Sequence, residues 1–263
     1  MRLRNIPSAR EELAASPYVL EEKECGTFRG RWGAAFETLR KSQFPPENVH
    51  PEPISPAADE SAPAGAVKRP LHIEIGMGKG QFLMELSRRN PDINYIGIEN
   101  YSSVLVHAVR KLDSLSQACS LLPSGEGREN DGSIPVRNIL LLRMNAEYLT
   151  DVFAPGEVDR IYLNFSDPWP KDRHARRRLP GRVFLERYAQ VLSPGAHVEF
   201  KTDNRGLFDF AVEEGQASGW ITEACTYDLH HDPVMNEGNI LTEYEERFSA
   251  KGNPICKLIE HPR

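Results

Sequence analysis

The chain of 263 residues contains 40% hydrophobic and 27% charged residues and has a formal net charge of −6. This composition is typical of a globular protein that buries a substantial core, and no apolar run is long enough to cross a bilayer. Residues 1–7 carry charge without an apolar stretch behind them, so we expect a cytoplasmic protein with no signal peptide and no membrane partner.

Residues 1–42 are predicted to form an amino-terminal arm that ends in a helix around residues 32–39. Residues 43–70 follow, with few apolar side chains and with prolines at positions 45, 46, 51, 53, 56, 63 and 70. Such a segment buries too little surface to offset its ordering entropy. We therefore predict a proline-rich flexible insertion or linker.

Residues 71–263 are predicted to form one domain in which short apolar runs alternate with amphipathic stretches. The apolar runs span residues 71–75, 95–98, 139–143, 158–165 and 196–200, and helical periodicity is found within residues 82–86, 104–112 and 183–192. This alternation predicts an α/β fold with a doubly wound, mostly parallel sheet and helices on both faces.

Two further features complete the chain. Residues 121–136 interrupt the alternation with Gly125, Gly127, Gly132 and Pro135 and predict a loop insertion. Runs of β-type residues at 221–229 and 255–259 predict an antiparallel edge pair.

A glycine-rich turn follows the first predicted strand of the domain, with Gly76, Gly78 and Gly80 after Glu74. Glycines at this place let the backbone approach a ligand and expose amide donors at a helix N-terminus. The Gly-x-Gly-x-Gly spacing differs from that of dinucleotide folds, which argues against a nicotinamide dehydrogenase. An acid before the loop is unfavourable beside a diphosphate and favourable beside the ammonium of an amino-acid moiety.

The next two predicted strands also end in polar residues, Glu99 and Asn145. A carboxylate at this position accepts hydrogen bonds from a ribose diol, and an amide suits an adenine edge. Either residue could instead cap the helix that follows it. The ordered set at successive strand ends favours nucleoside binding.

The fourth predicted strand brings Asp167 to the same edge of the sheet, followed by Pro168, Trp169 and Pro170. The tryptophan offers a flat surface that could stack on a base, although a rigid surface turn with a core tryptophan is the alternative. A run of almost one sign of charge follows, formed by Lys171, Arg173, His174, Arg176, Arg177 and Arg178. In a chain of negative net charge, such a cluster suits an anionic polymer, although a solvated face is the ordinary interpretation.

Neither metal binding nor a disulfide is expected. Cys25, Cys119, Cys225 and Cys256 are far apart and predict reduced thiols. The residues at 230–232, His-His-Asp, are an improbable metal site because adjacent side chains point in different directions.

The residues at 73–80, 95–99, 164–174, 200–204 and 242–248 resemble the motifs of the bacterial tRNA (guanine-N7)-methyltransferases. The likeness covers most of residues 71–260, and the Ser-Asp-Pro-Trp-Pro-Lys and Thr-Glu-Tyr-Glu motifs are highly specific. The resemblance implies the seven-stranded class I fold of S-adenosylmethionine-dependent methyltransferases, a tRNA substrate methylated at guanine 46 in the variable loop, and a monomer or homodimer.

The resemblance also implies roles for individual positions. Contacts to S-adenosylmethionine are expected from Glu74, Gly76, Gly78, Glu99, Asn145 and Asp167, although the family often has aspartate where this chain has Asn145. The target nucleotide is expected to contact Lys171, Asp203, Thr242, Glu243, Tyr244 and Glu245. The tRNA is expected to contact Arg173, His174, Ala175, Arg176, Arg177 and Arg178.

The chemistry agrees with carboxylates in the site, because guanine N7 has a lone pair and no proton to lose. Asp167 is the expected catalytic residue, stabilising positive charge on the purine, and Asp203 could select guanine through its N1 and N2 hydrogens. Two alternatives remain open: a methyltransferase for a small molecule or protein, and a non-catalytic RNA-binding protein on a degenerate methyltransferase fold.

Overall fold

A computed structural model describes residues 5–43, 69–120 and 136–263. Most of the predicted proline-rich insertion 43–70 and of the predicted loop 121–136 lies outside these ranges. The description below therefore concerns the amino-terminal arm and the domain that follows the insertion.

The strands of the described residues form a single eight-stranded sheet in the order β1-β4-β3-β2-β5-β6-β8-β7. They are β1 (Val19–Glu21), β2 (Leu71–Ile75), β3 (Asn94–Glu99), β4 (Ile139–Arg143), β5 (Val158–Asn164), β6 (Leu192–Thr202), β7 (Ile221–Thr226) and β8 (Cys256–His261). All pairings from β1 to β6 are parallel. Every residue of β2 and β3 is buried, as expected of strands covered on both faces.

One helix precedes β1, and helices lie between all successive strands of the described residues. They are α1 (Ala9–Ala15), α2 (Glu22–Cys25), α3 (Trp32–Gln43), α4 (Gln81–Arg89), α5 (Ser102–Ser120), α6 (Leu149–Val152), α7 (Arg182–Val191), α8 (Arg205–Ala217) and α9 (Glu243–Ser249). The chain moves from β2 to β3 and β4 in one direction, and from β5 to β6 in the other. Because such crossovers are right-handed, the two sets of helices cover opposite faces, and the doubly wound prediction is confirmed.

The amino-terminal arm joins the same core as the domain. β1 pairs with β4 and adds an eighth strand to the seven that were expected. Three residues are too few to show a pattern in the sequence, so this strand was missed. The predicted helix near residue 32 is confirmed, and its Trp32 is buried with its ring 5.5 Å from that of Phe153.

The carboxyl-terminal strands β7 and β8 are antiparallel, as predicted. β8 lies between β6 and β7 and pairs antiparallel with both, so only β7 occupies the edge. None of the helices in the ranges described combines the length and apolar character that crossing a membrane would require.

The strand order reverses between β2 and β5, which are neighbours in the sheet. In a doubly wound sheet, ligands bind outside the carboxyl ends of the strands at this switch point. The segments after β2, β3, β4, β5 and β6 therefore meet at one edge, and they carry most of the residues singled out in the sequence.

Candidate active site

The glycine-rich turn between β2 and α4 depends on left-handed backbone. Gly76, Gly78 and Gly80 have φ angles of 75°, 57° and 78°, which other residues rarely adopt. The amides of Gly76 and Met77 donate to the carbonyl oxygen of Ile98, at 2.9 and 3.1 Å. These amides are thus used within the protein, and the expected row of free donors is not what the turn provides. Gly78 has no neighbouring atom within 4 Å of the place of a side chain among the described residues, so a ligand can approach its backbone closely.

Glu99 at the end of β3 is buried and faces this turn. Its carboxylate accepts hydrogen bonds from the amides of Gly78, at 3.2 Å, and Tyr101, at 3.0 Å. Burial raises its pKa, these amides lower it, and the charge of Asp167 raises it further. Each carboxylate oxygen has a second lone pair, so a diol remains an acceptable partner.

Asn145 follows β4 and caps the turn that comes next. Its Oδ1 accepts a hydrogen bond from the amide of Glu147 at 3.1 Å. The capping role that the sequence left open is therefore present in the structure. Capping uses the carbonyl oxygen of the side chain, and the proposed contact to adenine stays a prediction.

Glu74 is 2% exposed at the end of β2. Its Oε1 accepts from Asn164 Nδ2 at 2.8 Å, whereas its buried Oε2 has no hydrogen-bond partner among the residues that the structure describes. Burial raises the pKa of this carboxyl to about 8, against the lowering effects of Asn164 and of the charge of Lys201. A buried oxygen without a partner beside the glycine-rich turn fits a cationic ligand group, which would compensate its desolvation.

The loop after β5 places Asp167 in solvent at the switch point. Two of its residues, Phe165 and Trp169, have left-handed backbone with φ angles of 51° and 41°. The amide of Phe165 donates to the carbonyl oxygen of Lys201 at 2.8 Å, which fixes the loop to β6. Since the charge of Asp167 acts on Glu99, the two predicted carboxylates lie within electrostatic reach across the sheet edge.

Arg178, one of the residues expected to bind RNA, donates hydrogen bonds to this loop. Its Nε and Nη2 donate to the carbonyl oxygens of Pro168 and Trp169, each at 3.1 Å. Its guanidinium also lies 4.5 Å from the ring centroid of Phe210. The sequence alone did not distinguish this arginine from its neighbours, because nothing in a basic run marks which member turns inward.

Trp169 is half-buried, with partners from the basic run. The Arg177 guanidinium lies 5.0 Å from its ring centroid, and the His174 ring lies 5.7 Å away. The tryptophan therefore contacts the segment that follows it. It is neither a fully exposed surface nor a core residue, which were the two interpretations that the sequence allowed. Stacking on a base stays a prediction.

The remaining basic residues lie on a 3-10 helix, Asp172–Arg177, beside Asp167. Arg173, Arg176 and Arg177 are exposed, as is Lys171 before them. His174 and Ala175 are half-buried, and His174 Nε2 accepts from Arg173 Nε at 3.3 Å. The structure thus presents a cluster of exposed cations at the same edge as the carboxylates.

Asp203 and Tyr244 meet at the end of β6. Burial raises the pKa of Tyr244, and the nearby carboxylate of Asp203 raises it further. The Tyr244 ring is 41% exposed and lies 4.9 Å from the ring of Phe165 and 4.1 Å from that of Phe248. A polar acceptor and an exposed aromatic surface are therefore adjacent to the loop that carries Asp167.

Residues 242–245, which are expected to contact the target nucleotide, lie at the start of a helix. Thr242 caps α9, its Oγ1 accepting from the amide of Glu245 at 2.9 Å. A threonine followed three residues later by a glutamate is a helix start signal that is present in the sequence. Glu243 forms ion pairs with Lys111 and, at 3.5 Å, with Lys79 of the glycine-rich turn.

Glu245 is fully buried, which sequence reasoning did not anticipate. Its Oε2 accepts from Lys201 Nζ at 2.7 Å, and its Oε1 lies 3.0 Å from both Asn239 Nδ2 and His230 Nε2. Its carboxylate is therefore occupied by protein groups and is not presented to a nucleotide. In the sequence, Lys201 is marked by its charge directly after the apolar run 196–200 and by its place in the motif at 200–204, and neither indicates that it is buried.

The remaining ligand-like groups are accounted for by internal contacts. His231 Nδ1 lies 3.0 Å from the carboxylate of Asp228, and within the described ranges no group of three His, Cys, Asp or Glu residues is arranged for a metal. Cys25, Cys225 and Cys256 are free thiols.

Comparisons with known proteins agree with this geometry. A family model described as "Putative methyltransferase" matches residues 68–258. A tRNA (guanine-N(7)-)-methyltransferase of Lachnoclostridium phytofermentans is 47% identical over 98% of this chain and 97% of its own length. Proteins of the same name from Geobacillus sp. (strain WCH70) and Bacillus subtilis (strain 168) are 43% and 49% identical, over 100% and 72% of this chain and 96% and 78% of their own lengths.

Solved structures share the fold at low identity. An antibiotic-related methyltransferase is 19% identical with a TM-score of 0.52, covering 76% of this chain and 90% of its own. The 16S rRNA methyltransferase KamB is 15% identical with a TM-score of 0.50, covering 72% and 86%. These likenesses extend to the arrangement of the sheet and helices.

Proposed function

The chain belongs to the tRNA (guanine-N7)-methyltransferase family, and from this premise we propose that it methylates N7 of guanine 46 in the variable loop of tRNA, with S-adenosylmethionine as the donor. The observation that carries the proposal is the convergence of Glu74, Glu99, Asp167 and Asp203 at the switch point, beside exposed cations. The family membership supports the reaction, and the convergence of these four carboxylates supports its location at this edge of the sheet.

The described residues fit the cofactor. Glu74 Oε2, which has no hydrogen-bond partner within the described ranges, suits the ammonium of the methionine part, and the remaining lone pairs of Glu99 suit the ribose hydroxyls. Gly76 and Gly78 leave the approach free of side chains, and Asn145 would face the adenine. When bound, the cofactor supplies an electrophilic methyl group.

The residues at the acceptor side have roles that need no general base. Guanine N7 carries a lone pair and no proton, so the protein has to orient the base, exclude water and stabilise the positive charge that develops on the purine. The exposed carboxylate of Asp167 at the switch point supports this electrostatic role. The product ring is cationic, and a fixed negative charge beside it lowers the barrier.

Selection of guanine is assigned to Asp203 and its neighbours. A carboxylate accepts from the N1 and N2 hydrogens of guanine, whereas adenine has no hydrogen at N1. The exposed ring of Tyr244, packed on Phe165, offers a surface for the purine. Phosphates of the tRNA would contact Arg173, Arg176 and Arg177, and Lys171 would contact the target nucleotide.

The test compares Asp167→Ala with Asp172→Ala, an exposed aspartate on the adjoining 3-10 helix. We expect Asp167→Ala to lose nearly all methyl transfer from labelled S-adenosylmethionine to tRNA, with the melting temperature of the parent, because an exposed side chain contributes little to stability. Asp172→Ala should keep parental activity. Parental activity in Asp167→Ala would remove this carboxylate from the mechanism.

A further inference from the structure

The buried ammonium of Lys201 has all of its donors occupied. Lys201 lies near the end of β6 and is 3% exposed. Its Nζ donates to Glu245 Oε2 at 2.7 Å, to the carbonyl oxygen of Ile240 at 2.9 Å and to Asn239 Oδ1 at 3.1 Å. An ammonium has three donors, so these contacts use its full capacity and fix its position.

The partners of this ammonium lie at both ends of the segment 239–245, which carries Tyr244. Asn239 Nδ2 donates to Glu245 Oε1 at 3.0 Å, and the amide of Glu245 donates to Thr242 Oγ1 at 2.9 Å. Residues 239–245 are thus held to the sheet at both ends of the stretch. Tyr244 lies inside it and is exposed at the site edge.

The main chain of Lys201 holds the opposite wall of the site. Its carbonyl oxygen accepts from the amide of Phe165 at 2.8 Å, at the start of the loop that carries Asp167. The rings of Phe165 and Tyr244 are 4.9 Å apart. One residue therefore contacts both segments whose aromatic rings meet at the acceptor side.

Resting on the proposed function, we propose that Lys201 is a positioning residue for the target guanine, which sets Tyr244 against Phe165 beside Asp167. It acts through residues 239–245 and does not contact the nucleotide. A buried ion pair gives little net stability relative to a neutral packed pair. Neutralising Lys201 and Glu245 together is therefore expected to change the geometry of the site more than the stability of the fold.

The test neutralises both members of the pair, Lys201→Met with Glu245→Gln, so that no unpaired charge stays buried. We expect the melting temperature and the affinity for S-adenosylmethionine to stay close to those of the parent. The kcat for tRNA should fall on the order of 10- to 100-fold, since small misplacements of reacting groups have effects of this size. The KM for tRNA should change little, because phosphate contacts dominate affinity.

A matched control removes a neighbouring ion pair of the same sheet. Lys257 Nζ lies 3.0 Å from Glu199 Oε2, and in the part of the chain that the structure describes neither residue forms a hydrogen bond or ion pair with Asn239 or Glu245. Lys257→Met with Glu199→Gln should keep the parental kcat. Tyr244→Ala should lower kcat in the parent and have little further effect in the Lys201/Glu245 double variant, because the two changes remove one interaction.

The outcomes separate this inference from the proposed function. Absence of tRNA methylation by the parent would overturn both. Two results, obtained with a parent that methylates tRNA, would overturn the role of Lys201 alone. One is a parental kcat in the Lys201/Glu245 double variant. The other is a loss of kcat from Tyr244→Ala that is as large in the double variant as in the parent. If the double variant does not fold, Asn239→Ala serves in its place, since Asn239 is half-buried. This variant should show a smaller loss of kcat, and an unchanged kcat would overturn the inference.

Discussion

Removal of the two exposed arginines Arg173 and Arg176 tests whether the basic 3-10 helix binds RNA. Both are exposed beside Asp167, whereas Arg178 donates to the backbone of the adjoining loop. Alanine at Arg173 and Arg176 therefore removes charge without disturbing that loop. A replacement that included Arg178 would combine loss of charge with loss of loop geometry.

The size of the effect follows from counterion release. Each lost phosphate contact reduces the slope of log affinity against log salt by about 0.7 for single-stranded and about 0.9 for duplex nucleic acid. Two contacts reduce it by about 1.4 to about 1.8, so over a fourfold rise in salt the parent should lose roughly tenfold more affinity than the double variant. The measurement is tRNA binding by fluorescence anisotropy over a salt series.

Arg178→Ala is the control for this experiment. It should lower kcat, because the carbonyl oxygens of Pro168 and Trp169 lose their donor, and it should leave the salt slope unchanged. A parental slope in the Arg173/Arg176 variant would refute RNA binding by this helix. A reduced slope in Arg178→Ala would refute its assignment to the loop.

Two further predictions concern buried carboxyls. Burial raises the pKa of Glu74 to about 8, so at pH 7 the free protein holds its proton, and a cationic ligand group beside it should release that proton. Calorimetry of S-adenosylmethionine binding in buffers of different ionisation enthalpy should show more proton release at pH 7 for the parent than for Glu74→Gln. Equal proton release by the two proteins would contradict the assignment of Glu74 to the ammonium. Burial also raises the pKa of Glu260 to about 7, so the folded state binds this proton more tightly than the unfolded state, and stability falls as pH rises from about 4.5 to about 7. Glu260→Gln should remove this fall in stability. In urea unfolding, the free energy of unfolding of the variant minus that of the parent should be higher at pH 8 than at pH 5 by up to about 3 kcal/mol. The same difference between variant and parent at both pH values would contradict this prediction.

The sheet could be predicted because its parallel strands are buried on both faces. Leu71–Ile75 and Ile139–Arg143 are apolar runs that any packed parallel sheet requires, and both predictions are confirmed at the same bounds. Val19–Glu21 was missed because its pairing with β4 depends on the tertiary fold and three residues carry no periodicity. The predictable part of the fold is the part that hydrophobic burial specifies locally.

The candidate site was only partly predictable for a related reason. Glu74 and Glu99 lie at the ends of β2 and β3, and Asp167 follows β5, so the topology alone brings them to one edge of the sheet. The inward turn of Arg178 depends on backbone carbonyls of the preceding loop, and that of Glu245 depends on Lys201, which is 44 residues away in the chain. Residue type and spacing indicate which groups reach the edge of the sheet, and contacts in three dimensions decide which of them stay free for a ligand.

The most direct test of the proposed activity is to map N7-methylguanosine in tRNA after incubation with the purified protein and S-adenosylmethionine. Chemical cleavage at N7-methylguanosine followed by sequencing locates the modified base to a single nucleotide. The proposal expects one new N7-methylguanosine, at position 46 of the variable loop, that is absent when Asp167→Ala replaces the parent. No N7-methylguanosine, or a methyl group at another atom or position, would contradict it.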